Sequence, residues 1–186
     1  MSKLSRRQVL ASTGFAAGAV AWGGRFSFAQ QSSAVAEAKV RGTDLVALGR
    51  SNIKTTVLGI GTGTRGGREQ RDLGMQGFVR LAREAHDRGI RYIDTADSYK
   101  MHPFVKATLA EIPRDDLFLQ TKTRAKDAKT ARQDIDRFRR ELGTETLDSV
   151  LIHCMTKDKW PVDMRPVIDV LVKAKEKGQV RAIGVS

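Results

Sequence analysis

Cysteine is almost missing from this chain. Cys154 is the only one in 186 residues, so no internal disulfide can staple the fold, and no cysteine-built zinc or iron–sulfur centre can form within one chain. Stability has to come from burial. Proline is scarce too, with 4 residues against 17 glycines. With 40% hydrophobic and 29% charged residues, the composition is that of a packed, soluble α/β protein, not a disordered or fibrous one. Aromatics make up only 6%, a shortage that bears on the formal charge of +12. The cations are interspersed with Asp and Glu, with few rings between them on which bases could stack, so no nucleic-acid partner is expected. A convincing membrane span is lacking as well: the apolar stretch from Val9 to Trp22 is too short and too rich in Gly and Ala. At about 100–200 residues per domain, one folded domain is expected.

The start of the chain reads as an address. A basic beginning leads into that apolar stretch, and Ser27-Phe28-Ala29 is a small-x-small cleavage site, so residues 1–29 are expected to be an export signal peptide. Ser5-Arg6-Arg7-Gln8-Val9-Leu10 resembles the twin-arginine export motif, with Val9 and Ala11 where Phe and Lys are usual. An ordinary secretory signal or an uncleaved membrane anchor is the alternative. The motif implies the twin-arginine export machinery as a partner, a periplasmic location, and passage across the membrane in a folded, cofactor-loaded state. Residues 30–44 read as a flexible polar lead-in and residues 45–186 as the folded domain.

Within that domain short apolar, β-branched runs alternate with segments of helical period, the pattern of repeated βα units on a parallel sheet. The strands are expected at Thr56–Ile60, Arg91–Thr95, Leu117–Thr121, Ser149–His153 and Val180–Val185. Apolar stripes are expected from Phe78, Leu81, Ala82 and Ala85, from Ala131, Ile135, Phe138 and Leu142, and from Val167, Val170, Leu171 and Ala174. Each of these helices closes on a basic residue and then Gly, at Gly89, Gly143 and Gly178. A shorter helix is expected from Pro103 to Glu111, and a hairpin from Leu45–Leu48 and Ile53–Thr55 that caps one end of a barrel. Polar residues punctuate the strand ends: Thr62, Asp94, Lys122, His153 and Ser186 lie 32, 28, 31 and 33 residues apart. In a parallel barrel all five meet at one mouth, whereas an open doubly wound sheet gathers strand ends only at its switch point.

The residues around these positions resemble the aldo/keto reductase family. The resemblance rests on Arg91-Tyr92-Ile93-Asp94-Thr95-Ala96-Asp97-Ser98-Tyr99, on Lys122 in Gln120-Thr121-Lys122-Thr123, and on His153 in Leu151-Ile152-His153. Leu58-Gly59-Ile60-Gly61-Thr62-Gly63-Thr64 looks like the family's first barrel strand, and Ile183-Gly184-Val185-Ser186 like the strand whose Ser holds the nicotinamide carboxamide. The resemblance implies a TIM (β/α)8 barrel and reduction of a small-molecule aldehyde or ketone with NADPH. It makes Tyr99 the general acid and Lys122, held by Asp94, the charge that steadies the phenolate. His153 orients the carbonyl, and Gly61, Thr62, Asp94 and Ser186 contact the cofactor. A phenol, with an ordinary pKa of ~10, is a weak acid at neutral pH, so such help is needed.

Taken singly, each residue has a plainer reading: Asp94 as a turn cap, Tyr99 as rim packing, Lys122 as a solvated charge, His153 as a core histidine. Cys154 reads as a small buried hydrophobe. Lys100-Met101-His102-Pro103 departs from the Gly usual after the tyrosine, which places His102 as a contributor to the pocket. No metal site is expected. Gly61-Thr62-Gly63-Thr64-Arg65-Gly66 matches G-x-G-x-x-G, but Arg65 to Gly77 reads as a loop and not as the helix that a Rossmann unit requires. Length is the larger departure: about five βα units fill the chain where a barrel needs eight. The expectation is therefore a piece of a reductase, inactive alone, with Val180–Val185 as an apolar edge. A catalytically silent fragment that binds or oligomerises is the alternative.

Overall fold

The computed structural model describes residues 39–186; the leader read from residues 1–29 lies outside the described residues, as does the lead-in up to Ala38. Among the described residues no helix is long and apolar enough to cross a membrane. Strands β1 (Leu45–Ala47) and β2 (Lys54–Thr56) pair antiparallel, with Leu45 opposite Thr56. Gly49 and Asn52 in the turn between them take positive φ, which Gly and Asn enter most readily. Five further strands follow: β3 (Ile60–Gly61), β4 (Tyr92–Asp94), β5 (Phe118–Thr123), β6 (Leu147–Ile152) and β7 (Val180–Val185). They form one sheet in chain order, every neighbour parallel. A doubly wound sheet would reverse its order at a switch point. The architecture is thus an α/β fold with the strand order of a (β/α) barrel.

Helices α1 (Arg68–Asp72), α2 (Gly74–Asp87), α3 (His102–Leu109), α4 (Ala128–Leu142), α5 (Trp160–Asp163) and α6 (Arg165–Glu176) connect the strands. Helix α4 shows why they form. The Asp127 carboxylate accepts the Thr130 backbone N–H at 2.8 Å, satisfying a donor that the first turn leaves free. Ala131, Ile135, Phe138 and Leu142 bury one stripe, and Gly143 ends the helix in the left-handed region. On α6 the buried stripe is Val167, Val170, Leu171 and Ala174. These stripes pack on Ile93, Leu119, Val150 and Ile152 of the sheet, each fully buried aliphatic or aromatic side chain contributing about 1.5–3 kcal/mol. On the other face Tyr92, Phe118 and Ala182 cluster with Ile53 of the hairpin, so the hairpin covers the strands' N-terminal ends as expected.

Several expectations need correction. Thr56 belongs to the hairpin, and the first sheet strand is only Ile60–Gly61. The Leu58 N–H bonds to Gly42 and the Val57 N–H to Asp44, so the β-branched run extends the hairpin and residues 42–44 are tied into the fold. Arg65 to Gly77 is not all loop, since α1 and the start of α2 lie in it; its Arg, Glu and Gln are good helix formers among the glycines. On α2 the buried residues are Phe78, Val79 and Ala82, while Leu81 sits to one side and is exposed.

Asp148, near the N-terminal end of β6, is 2% exposed. Its carboxylate accepts bonds from Arg114 at 2.6 Å, Arg181 at 2.6 Å and the Leu119 backbone N–H at 2.9 Å. Asp148→Ala leaves that N–H unpaired and two cations without their partner. We expect a loss of about 2–3 kcal/mol, read as a lower urea midpoint with unchanged slope.

Candidate active site

Parallel strands deliver their C-terminal ends to one side, and the pleat sends alternate side chains to one face. Asp94 ends β4 and stands opposite Gln120 in the register; Lys122, two residues further along β5, shares the Gln120 face. The Lys122 side chain is only 7% exposed. Its ammonium donates to Asp94 Oδ1 at 2.6 Å, Asp94 Oδ2 at 2.8 Å and the Thr95 carbonyl at 3.0 Å, which uses all three of its hydrogens. A buried cation is tolerated because it is paired and bonded in this way. Gln120 donates to Asp94 Oδ1 at 2.7 Å and to the Tyr92 hydroxyl at 2.8 Å. Burial, with the Asp94 charge second, pushes the Tyr92 hydroxyl up to about 12, so Tyr92 stays protonated.

Tyr99 closes a 3-10 turn, Asp97–Tyr99, that follows β4. Its ring centroid lies 5.1 Å from Lys122 Nζ, and its hydroxyl lies 3.4 Å from Nε2 of His153. The two rings meet edge to face, with centroids 5.6 Å apart. Gly63 makes the close approach possible, since a Cβ there would come within 2.7 Å of the Tyr99 ring. Arg71 of α1 donates to the Tyr99 carbonyl and, at 3.0 Å, to that of Gly66. His153 follows β6 directly, 7% exposed. Burial, then the charges of Lys122 and Arg124, hold its imidazole below the ordinary range, so the ring is neutral at physiological pH. Beside it opens a groove of about 470 Å³ lined in part by Arg124, Met155, Trp160 and Met164. An oxygen seated against both the Tyr99 hydroxyl and His153 Nε2 would meet two hydrogen-bonding groups with a fixed ammonium behind them. That arrangement suits a developing alkoxide.

The structure thus brings Asp94, Tyr99, Lys122 and His153 together. The four positions expected to contact a cofactor divide. Gly61 is exposed, with open space where a Cβ would project. Ser186 is exposed at the end of β7, its hydroxyl accepting from the Cys154 N–H at 3.2 Å. Thr62 is fully buried and donates to the Asp94 carbonyl at 3.0 Å, which makes it a strut between strands. The Asp94 carboxylate takes bonds from Lys122 and Gln120, and the sheet runs in chain order with no switch point, which removes the Rossmann reading.

Two other readings change. Cys154 is exposed, not buried, because a positive φ turns it out beside His153. His102 is 2% exposed and away from the pocket: Nδ1 meets Glu141 at 2.7 Å and Nε2 meets the Thr121 hydroxyl at 2.9 Å. Sequence reasoning missed Arg71, Gln120 and Gly63 as supports of the site. For Gly63 the signal was present, in a glycine-rich turn facing a strand that leads to a tyrosine.

Residues 57–186 match the model of a family described as the aldo/keto reductase family. The chain is 33% identical over 141 residues to an aldo-keto reductase of Mycobacterium avium (strain 104), across 72% of this chain and 44% of that protein. It is 24% identical over 166 residues to an NADH-specific methylglyoxal reductase of Escherichia coli (strain K12), across 76% of this chain and 51% of that one. An aldo-keto reductase of Bombyx mori, solved in complex with NADP, superposes with a TM-score of 0.64 at 24% identity, covering 78% of this chain and 51% of its own. The chain spans about half the length of the curated relatives it matches.

Proposed function

Because the chain belongs to the aldo/keto reductase family, we propose that the protein reduces a small aldehyde or ketone to the alcohol with Tyr99 as proton donor. The observation that carries this reading is the Tyr99 hydroxyl set 3.4 Å from a neutral His153, with the bonded Lys122 ammonium beneath its ring. A reduced nicotinamide, when bound, supplies the hydride to the carbonyl carbon. Tyr99 gives its hydroxyl proton to the carbonyl oxygen: the phenol O–H breaks, the alcohol O–H forms, and solvent returns a proton to the phenolate. Lys122 favours that phenolate by its charge. Asp94 keeps Lys122 in place, and His153 holds the carbonyl oxygen within reach of Tyr99. Ser186 and Gly61 are the residues with room for the nicotinamide end.

NADPH is the cofactor we propose. The relatives differ on this point, one being named NADH-specific and another holding NADP. Arg6-Arg7 before the apolar stretch supports delivery of the folded protein to the periplasm. The test is to purify the protein and follow oxidation of NADPH and NADH side by side with methylglyoxal and with an aromatic aldehyde. Carbonyl-dependent oxidation by a protein with a full set of eight βα units, faster with NADPH, is the expected result. Oxidation with neither cofactor by such a protein would overturn the reading in favour of a silent binding protein.

A further inference from the structure

The turn that carries Tyr99 is held from a helix about forty residues away in sequence. Asp97 opens the turn, and its carboxylate accepts a bond from Arg137 Nη1 at 2.7 Å. Arg137 sits on α4, its guanidinium stacked 4.8 Å over the Phe138 ring. The same group donates to Asp134 at 2.7 Å and to Glu141 at 3.1 Å. Each of these carboxylates reaches β5. Asp134 accepts from the Thr123 hydroxyl at 2.5 Å, and Glu141 holds His102, which in turn meets the hydroxyl of Thr121 at 2.9 Å. Thr121 and Thr123 flank Lys122. One planar cation therefore ties the turn bearing Tyr99 to both neighbours of Lys122.

Asp97, His102 and Glu141 place ligand atoms within 4.8 Å of one another, a spacing that suits a metal ion. Arg137 bonds two of the three and already supplies the positive charge there. Its bond holds the Asp97 carboxyl below the ordinary carboxylate range. A guanidinium fits this place better than a lysine, since its fixed fork can serve three carboxylates at once. Arg71 grips the other end of the turn, at the Tyr99 carbonyl.

We propose that Arg137 is a positioning residue for carbonyl reduction, fixing the Tyr99 hydroxyl against Lys122 through Asp97 on one side and through Asp134 and Glu141 on the other. The inference rests on the reading of Tyr99 as proton donor. A displacement of about 1 Å costs about 100-fold in rate, so the anchoring matters even though Arg137 touches no reacting atom.

The chain has only two tyrosines, Tyr92 and Tyr99, which permits a readout independent of activity. The full chain labelled with fluorotyrosine gives one fluorine resonance for each, assigned with Tyr99→Phe. Arg137→Met and Asp97→Asn are expected to shift and broaden the Tyr99 resonance and leave that of Tyr92 in place. Asp97→Asn keeps the shape of the side chain and carries the test if Arg137→Met does not fold. Asp148→Ala serves as the control for general loss of stability and is expected to move neither signal. An unmoved Tyr99 resonance in both variants, or joint movement of both signals in Arg137→Met and Asp148→Ala alike, would overturn the proposal.

In steady-state reduction Arg137→Met is expected to lower kcat about 10- to 100-fold, with KM within about twofold. Arg137→Lys should restore part of the loss. Added to Tyr99→Phe, Arg137→Met should cost nothing more, because both act through one hydroxyl; additive losses would sink the positioning role alone. Undiminished turnover in Tyr99→Phe would instead sink the functional reading, and the role of Arg137 with it.

Discussion

Tyr99→Phe is expected to slow carbonyl reduction about 10²- to 10⁴-fold, the usual worth of a positioned general acid, while fold and cofactor affinity stay as they are. The phenyl ring can keep its place against Gly63 and edge-on to His153, and the main-chain grip of Arg71 on residue 99 does not involve the hydroxyl. Only the hydroxyl 3.4 Å from His153 Nε2 is removed. His153 cannot take over the donation: burial and two neighbouring cations disfavour its imidazolium, so it offers a hydrogen bond and not an acidic proton. The measurement is kcat under saturating NADPH, with cofactor affinity read separately from fluorescence quenching. Turnover equal to the unaltered protein would remove Tyr99 from the mechanism.

Asp94→Asn and Lys122→Met should both abolish most turnover, at least about 100-fold, yet differ in stability. Asp94→Asn leaves an ammonium that is 7% exposed without its counter-charge, facing an amide with one acceptor oxygen where the carboxylate had two, beside the Thr95 carbonyl. Breaking a buried pair from one side costs about 3–5 kcal/mol. Lys122→Met takes the buried cation away altogether. Asp94, whose side chain is 28% exposed, keeps the Gln120 amide and some water, and an apolar chain in a buried slot is well tolerated. The expected urea midpoints therefore fall in the order unaltered protein, Lys122→Met, Asp94→Asn, with Lys122→Met close to the first. The reverse order would mean that the pair is not the one buried here, or that water reaches it freely.

The four residues of the site were legible because parallel strands end where chemistry is done: Asp94, Lys122 and His153 recur at the period of one βα unit, and the pleat then brings them together. The stripes of α4 and α6 were legible for a similar reason, since a helix against a sheet must bury one face. What escaped depended on contacts with no period. Arg137 meets Asp97 across 40 positions and Arg71 meets Tyr99 across 28, and nothing in a row of exposed-looking cations marks which will turn inward. His102 looked like a pocket residue because it follows Tyr99 closely; helix α3 instead carries it under the sheet to Thr121. Helix α1 was masked by its flanking glycines, and the outward turn of Cys154 depends on a left-handed backbone that a cysteine seldom adopts.

Two firmly held carboxylates stand at opposite ends of the same sheet. Asp148 lies near the start of β6 with two arginines and a backbone N–H, and Asp94 lies at the finish of β4 with Lys122. Mutational drift at these two ends should be filtered by different pressures: around Asp148 through how much folded protein a cell retains, around Asp94 through what each folded molecule can do. A library scored separately for abundance and for turnover should sort its losses along the strand axis, and substrate preference could then change at the upper rim while the lower end keeps the chain folded.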